Sequence, residues 1–127
     1  MSYHSRQMCI VEMRFSGAVS VAEFIQWFDQ LEHLLQSKQY FVLLMQTAPN
    51  TTFPDEYRQL QAVWYKKNKS QFFQYCQGLA RIAQDEEDQQ RLNTPALHAA
   101  WQVPYFVSTA YADALYWVTQ RWLKHET

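Results

Sequence analysis

Tyr40-Phe41-Val42-Leu43-Leu44-Met45 is the longest uninterrupted aliphatic and aromatic run in the chain. It is far too short to cross a bilayer, which takes about 20 apolar residues. It also lacks the polar alternation of a strand with one wet face, so it reads as a central parallel strand covered on both sides. Immediately upstream, Ser20-Val21-Ala22-Glu23 has the capping-box pattern that starts a helix. Behind it Phe24, Trp27, Phe28, Leu31, Leu34 and Leu35 recur at spacings of three and four, with Gln26, Gln30, His33 and Gln36 on the other side. Further upstream, Met8 to Phe15 alternates in part and stops at Ser16-Gly17, the pattern of a half-buried strand followed by a turn. Its polar positions, Glu12 and Arg14, place it near a sheet edge.

Downstream, Gln46 to Asp55 has the composition of a loop, with Pro49, Asn50, Thr51, Thr52 and Pro54. A second helix is expected from about Asp55 to the Lys66–Ser70 region, burying Leu60, Val63 and Trp64. Lys66, Lys67 and Lys69 would lie at its carbonyl end, where positive charge is favourable. Phe72 to Cys76 either continues this helix or packs as a separate turn, and continuation after a kink is the expectation. Gly78-Leu79-Ala80-Arg81-Ile82-Ala83 reads as a short strand, and the acidic run Asp85 to Asp88 as the first turn of a polar, exposed helix. Thr94-Pro95 is a cap followed by proline at the first helical position, leading into Ala96 to Trp101. Val103 to Val107 makes a last strand, and Tyr111, Leu115, Val118 and Trp122 mark a C-terminal helix. Strands and helices alternate four times over short connections, which predicts an α/β fold with a mostly parallel sheet.

Composition bounds the rest. A length of 127 residues fits a single domain, 1–127. With 48% apolar and 18% charged residues and a formal net charge of −1, the chain has the balance of a soluble globular protein, and nucleic acid is not an expected partner. Only two glycines, Gly17 and Gly78, are present, too few for a dinucleotide fingerprint and too far apart for a phosphate-binding loop. Cys9 and Cys76 are too distant in sequence for a redox pair or zinc knuckle and read as reduced thiols of a cytoplasmic protein. From the polar start, with no apolar segment behind it, no secretory signal is expected. The unusual figure is 17% aromatic residues, which implies either an unusually aromatic core or a set of rings left for a ligand or partner.

The tail Val103-Pro104-Tyr105-Phe106-Val107-Ser108-Thr109, followed by Ala112-Asp113-Ala114-Leu115-Tyr116-Trp117-Val118, resembles the ending of bacterial STAS-like and SEC14-like α/β proteins. These are related in fold to the sporulation anti-sigma-factor antagonists. Phe15-Ser16-Gly17-Ala18-Val19-Ser20 with Glu23 is similar to the family's Gly-x-(Val/Leu)-(Ser/Thr)-x-x-Glu. Trp64 stands where a helix Trp is common, and Gly78 to Ala83 is similar to its Gly-x-x-(Arg/Lys)-(Ile/Val)-Ala strand. The resemblance implies a STAS-like four- to five-stranded sheet with helices packed against it, and a regulatory or binding role without catalysis. The family's phosphorylatable Asp-Ser-Ser or Asp-Ser-Gly is missing, and the matching loop reads Gln46-Thr47-Ala48-Pro49-Asn50-Thr51-Thr52. Many members also carry a further strand ahead of the one matching Met8 to Phe15, where this chain has only about seven polar residues.

No catalytic, cofactor or metal-binding residues are expected. Neither Cys9 nor Cys76 has a basic partner nearby in sequence, and His4, His33, His98 and His125 lack metal-ligand spacing. Asp85 to Asp88 lacks the alternation and glycine of a calcium loop. Arg58, Lys66, Lys67 and Lys69 with Tyr57, Trp64 and Tyr65 read as a solvated helix end rather than a single-strand-binding platform. Phe72, Phe73, Tyr75, Trp101, Tyr105, Tyr111, Tyr116 and Trp117 exceed what helices on a small sheet obviously need; core packing accounts for most of them, with a pocket or partner face as the alternative.

The expected function is therefore a small cytoplasmic, non-catalytic regulatory or protein-interaction module, and the alternative is a carrier of a small apolar or lipid-like ligand. Partner-binding residues are expected on the loop and helix start from Thr47 to Arg58, namely Thr51, Thr52, Phe53, Tyr57 and Arg58, because this long connection leaves the carboxyl end of the most apolar strand. Phe53 there either inserts into a partner groove or folds back as a lid on the core. If Met8 to Phe15 is an edge, its unpaired backbone groups are a template for a homodimer.

Overall fold

The computed structural model describes residues 2–5 and 7–125, with the His125 side chain outside the described part. Its elements run β1 (Ile10–Phe15), α1 (Val21–Gln36), β2 (Phe41–Thr47), α2 (Tyr57–Tyr75), β3 (Cys76–Ile82), α3 (Glu86–Leu92), α4 (Pro95–Trp101), β4 (Tyr105–Ser108) and α5 (Tyr111–His125). The sheet has four strands in the order β1-β2-β3-β4, and every pairing is parallel. This is an α/β fold. Right-handed crossovers place successive connecting helices on one face, and the packing follows: α1, α2 and α4 cover one side of the sheet and α5 the other.

The apolar run occupies β2, with β1 and β3 on either side. Phe41, Leu43 and Met45 point into the core beneath α1 and α2, while Val42 and Leu44 point into the core beneath α5. All five are buried, so the absence of polar alternation has its cause in two covered faces. β1 is an edge, as its pattern predicts. Val11, Met13 and Phe15 face α1, whereas Glu12 and Arg14 stay exposed on the other side. There Arg14 pairs with Glu12 at 3.2 Å, and the Tyr111 hydroxyl donates to the second Glu12 oxygen at 2.9 Å.

The caps read from sequence are formed. Ser20 accepts from the Glu23 amide while Glu23 accepts from the Ser20 amide, both at 3.1 Å. Thr94 accepts from the Leu97 amide, and Asp85, expected within the first turn of α3, instead caps it by accepting from the Asp88 amide. Helix α2 corrects the sequence reading. It runs unbroken to Tyr75 and passes into β3 at Cys76 with no loop, so Lys66, Lys67 and Lys69 lie in its middle, not at its carbonyl end. Its inward row is Trp64, Asn68 and Phe72 at spacings of four. Val63, expected inside, is 66% exposed. Asn68 sits among the lysines yet is buried, donating to the Trp64 carbonyl at 3.0 Å and to Glu32 of α1 at 3.4 Å.

Candidate ligand cleft at the carboxyl ends of the strands

β1 and β2 stay joined past their ends. The Ala48 amide donates to the Phe15 carbonyl at 2.8 Å, the Thr52 amide to Gly17 at 3.0 Å and the Val19 amide to Thr52 at 2.9 Å. The positive φ of Gly17 and Asn50, +66° and +65°, turns the two loops into this register. The Thr51 hydroxyl donates to the Ala48 carbonyl at 2.6 Å and approaches that of Phe15 at 3.3 Å. Thr51 and Thr52 thus hold the loop against β1.

This anchoring directs Phe53 inward. Its half-buried ring packs at 5.3 Å from Phe15, 5.9 Å from Phe24 and 5.3 Å from Tyr57, the lid arrangement of the two considered. Arg58 follows on the first turn of α2, its Nε donating to the Tyr57 hydroxyl at 2.9 Å. Of the five candidate residues, Phe53, Tyr57 and Arg58 line one cleft; Thr51 and Thr52 do not.

The cleft has a volume of about 320 Å³. Its inner surface is made by Phe15, Phe24, Trp27, Met45, Phe53 and Trp101, and polar groups come from Arg58, Gln61, Arg81, Gln84, Asp88 and Arg91. It lies outside the carboxyl ends of β1, β2 and β3, where open parallel sheets characteristically bind ligands. The size and the mixture of rings with a few polar groups are those of a small-molecule site. Trp27 is oriented by donation from Nε1 to the Met13 sulfur. Toward the interior, Trp27, Met45, Gln61 and Trp101 also bound a narrow hollow reaching Trp64 and Phe72.

Arg81 was not singled out by sequence as a site residue. Leu79 and Ala83 face the core beneath α1 and α2, so the strand's two-residue period sends Arg81 to that same side. A half-buried guanidinium on the core-facing side of an interior strand is rarely a packing choice. The available signal was one charged residue within Gly78 to Ala83. Close by, Asp88 accepts from the Gln84 amide at 3.0 Å and from Arg91. Burial works to raise the Asp88 carboxyl, but the Gln84 amide, Arg91 and the charge of Arg81 outweigh it and hold the group below its usual range. Burial pushes the neighbouring Tyr105 phenol up, against the pull of Arg81.

Of the other candidates only Trp101 reaches the cleft. Cys76 is buried beneath α2, its thiol pushed up to about 12 by desolvation, which removes nucleophilic character at neutral pH. His98 bonds Asn93 at 2.6 Å and meets the Tyr105 ring edge-on at 4.9 Å. Phe72, Phe73, Tyr75, Trp101 and Tyr105 pack in or against the core, Phe106 stacks on Trp117 at 5.3 Å, and Tyr111 and Tyr116 are exposed. Among the described residues no group of three or more His, Cys, Asp or Glu is placed to hold a metal, and no helix is long and apolar enough to cross a membrane. No family model matches the chain, and no curated protein or solved structure is significantly similar to it.

Proposed function

We propose that the protein is a small non-catalytic binding module that carries a ligand with an apolar body in the cleft between Phe53 and Trp101. The supporting observation is the lining itself: aromatic walls drawn from β1, α1, the Phe53 loop and α4 meet at the carboxyl ends of three parallel strands. The four-stranded sheet and the Gly78 to Ala83 strand suit a STAS-like, SEC14-like relationship, whose SEC14-like side implies such a carrier. A cytoplasmic setting suits the two free thiols.

Titration with 2-naphthalenemethanol, a neutral aromatic probe, followed by backbone chemical shifts tests the reading. Shifts concentrated at Phe53, Tyr57 and Trp101 support it, and native mass spectrometry of the protein purified from its host adds the mass of any retained ligand. Absence of shifts at these residues with this probe and with its naphthyl carboxylate and phosphate counterparts sinks it.

A second reading, docking on another protein or on a second copy, is favoured by one observation: β1 is an edge strand. A groove of about 350 Å³ runs along it between Glu12, Arg14 and the Gln26 and Gln30 side of α1. Antiparallel pairing of two such edges would form a two-fold dimer. Light scattering at micromolar concentration decides it, and a strict monomer removes the homodimer.

A further inference from the structure

The lining of the cleft carries an imbalance of charge. Three arginines, Arg58, Arg81 and Arg91, face it with one carboxylate, Asp88, in a chain whose formal net charge is −1. Asp88 is already engaged, by the Gln84 amide and by Arg91. Among the described residues Arg58 and Arg81 have no carboxylate in ion-pair contact. Arg58 is steadied by its Tyr57 hydrogen bond, with its guanidinium 5.6 Å from that ring's centre. Arg81 is more telling, because partly removing a guanidinium from water is costly unless an anion or acceptors compensate it. Its projection from the core-facing side of β3 toward the cleft is offset only in part, by the Tyr105 hydroxyl and by the charge of Asp88, which is itself paired to Arg91 and out of ion-pair contact with Arg81.

We infer that the ligand of this cleft is an amphiphilic organic anion, its apolar body against Phe53, Trp27 and Trp101 and its carboxylate or phosphate head on Arg81 and Arg58. This rests on the cleft being a ligand site and adds the chemistry of the head group. The planar guanidinium presents paired N–H donors that match either oxyanion. Because the mouth is partly enclosed by protein, such a pair is screened less than one on the open surface. The Arg91–Asp88 pair at the rim keeps the third arginine partly neutralised, so selectivity is assigned to Arg81 first.

Three probes sharing one ring system separate the possibilities: 2-naphthoate, 2-naphthyl phosphate and neutral 2-naphthalenemethanol, each titrated into the full chain by calorimetry and mapped by chemical shifts. At least one anion is expected to bind about tenfold or more tighter than the alcohol, the scale of one charge-assisted contact. The tighter of the two anions identifies the head group. Arg81→Gln should close that gap while leaving binding of the alcohol in place. Arg58→Gln, at an exposed position, should narrow it and serves if Arg81→Gln does not fold. Equal affinity for all three probes, or a gap that both variants leave intact, overturns the anionic head while the cleft reading stands. No binding of any probe at the cleft overturns both.

Discussion

The indole of Trp64 lies flat on the ring of Phe28, with centroids 5.4 Å apart and planes 8° from parallel, and this stack joins α1 to α2 over the sheet. Phe28 is buried and also meets Phe24 edge-on at 4.8 Å. Phe28→Ala should therefore cost about 3–5 kcal/mol, a large part of the stability of a domain of this size. Trp64→Phe should cost no more than about 1 kcal/mol, since it keeps a stacking ring and deletes an indole N–H that is buried with no hydrogen-bond partner. Denaturant melts of the two variants measure both values, and equal losses would show that the stack is not what Phe28 contributes.

Phe53 sits between two roles, closing the core and forming a wall of the cleft. Half-buried against Phe15, Phe24 and Tyr57, it should lose about 2 kcal/mol on truncation to Ala, below the range for a fully enclosed Phe. Thermal melts give the number. Unchanged melting would mean that the loop is not anchored by its ring.

Gly78 lies where α5 crosses β3. A Cβ at this position would stand 3.1 Å from Arg121 Cγ, 3.2 Å from Arg121 Cβ and 3.2 Å from Trp117 Cζ3. Arg121 Cβ is fixed to the helix backbone, so α5 itself must shift to make room. Gly78→Ala is expected to destabilise by about 1–3 kcal/mol in equilibrium unfolding, despite removing a glycine from a strand. A gain in stability would show that α5 has slack over β3.

The Cys76 thiol, raised by desolvation from 9.0 to about 12, links stability to alkaline pH. A folded value above the unfolded one means its contribution is complete below pH 9.0 and is lost as pH rises toward 12. The slope from this one group is at most about 1.4 kcal/mol per pH unit. Unfolding free energies at pH 8 and pH 10.5, in the natural chain and in Cys76→Ala, isolate it from the tyrosines that titrate nearby. Cys76→Ala should be less stable at pH 8 and show the shallower alkaline loss. In the native protein Cys76 should also resist iodoacetamide at pH 8 until denaturant is added.

Elements whose burial pattern repeats along the chain were legible without coordinates. The five buried residues of β2, the α1 face built on Phe24, Phe28, Leu31 and Leu35, and the caps at Ser20 and Thr94 each depend on neighbours within one or two turns, so local spacing carries them. The continuation of α2 through Phe72 was legible, but the kink and the placing of its lysines at a carbonyl end are corrected, because Asn68 and Phe72 continue its inward row unbroken against α1 and β2. Local chemistry cannot show which side of such a helix a distant element covers. The loop from Thr47 to Arg58 was identified by its length and composition, but the inward placement of Phe53 depends on Gly17 and Val19, more than 30 positions earlier. The cleft lay further out of reach. Arg58, Arg81 and Arg91 are separated in sequence by an entire helix, a strand or a turn, and only parallel strands ending at the same edge of the sheet bring them to one mouth. Residue types and periods determine which elements form; which side chains meet at their ends depends on strand order and register, which are products of long-range packing.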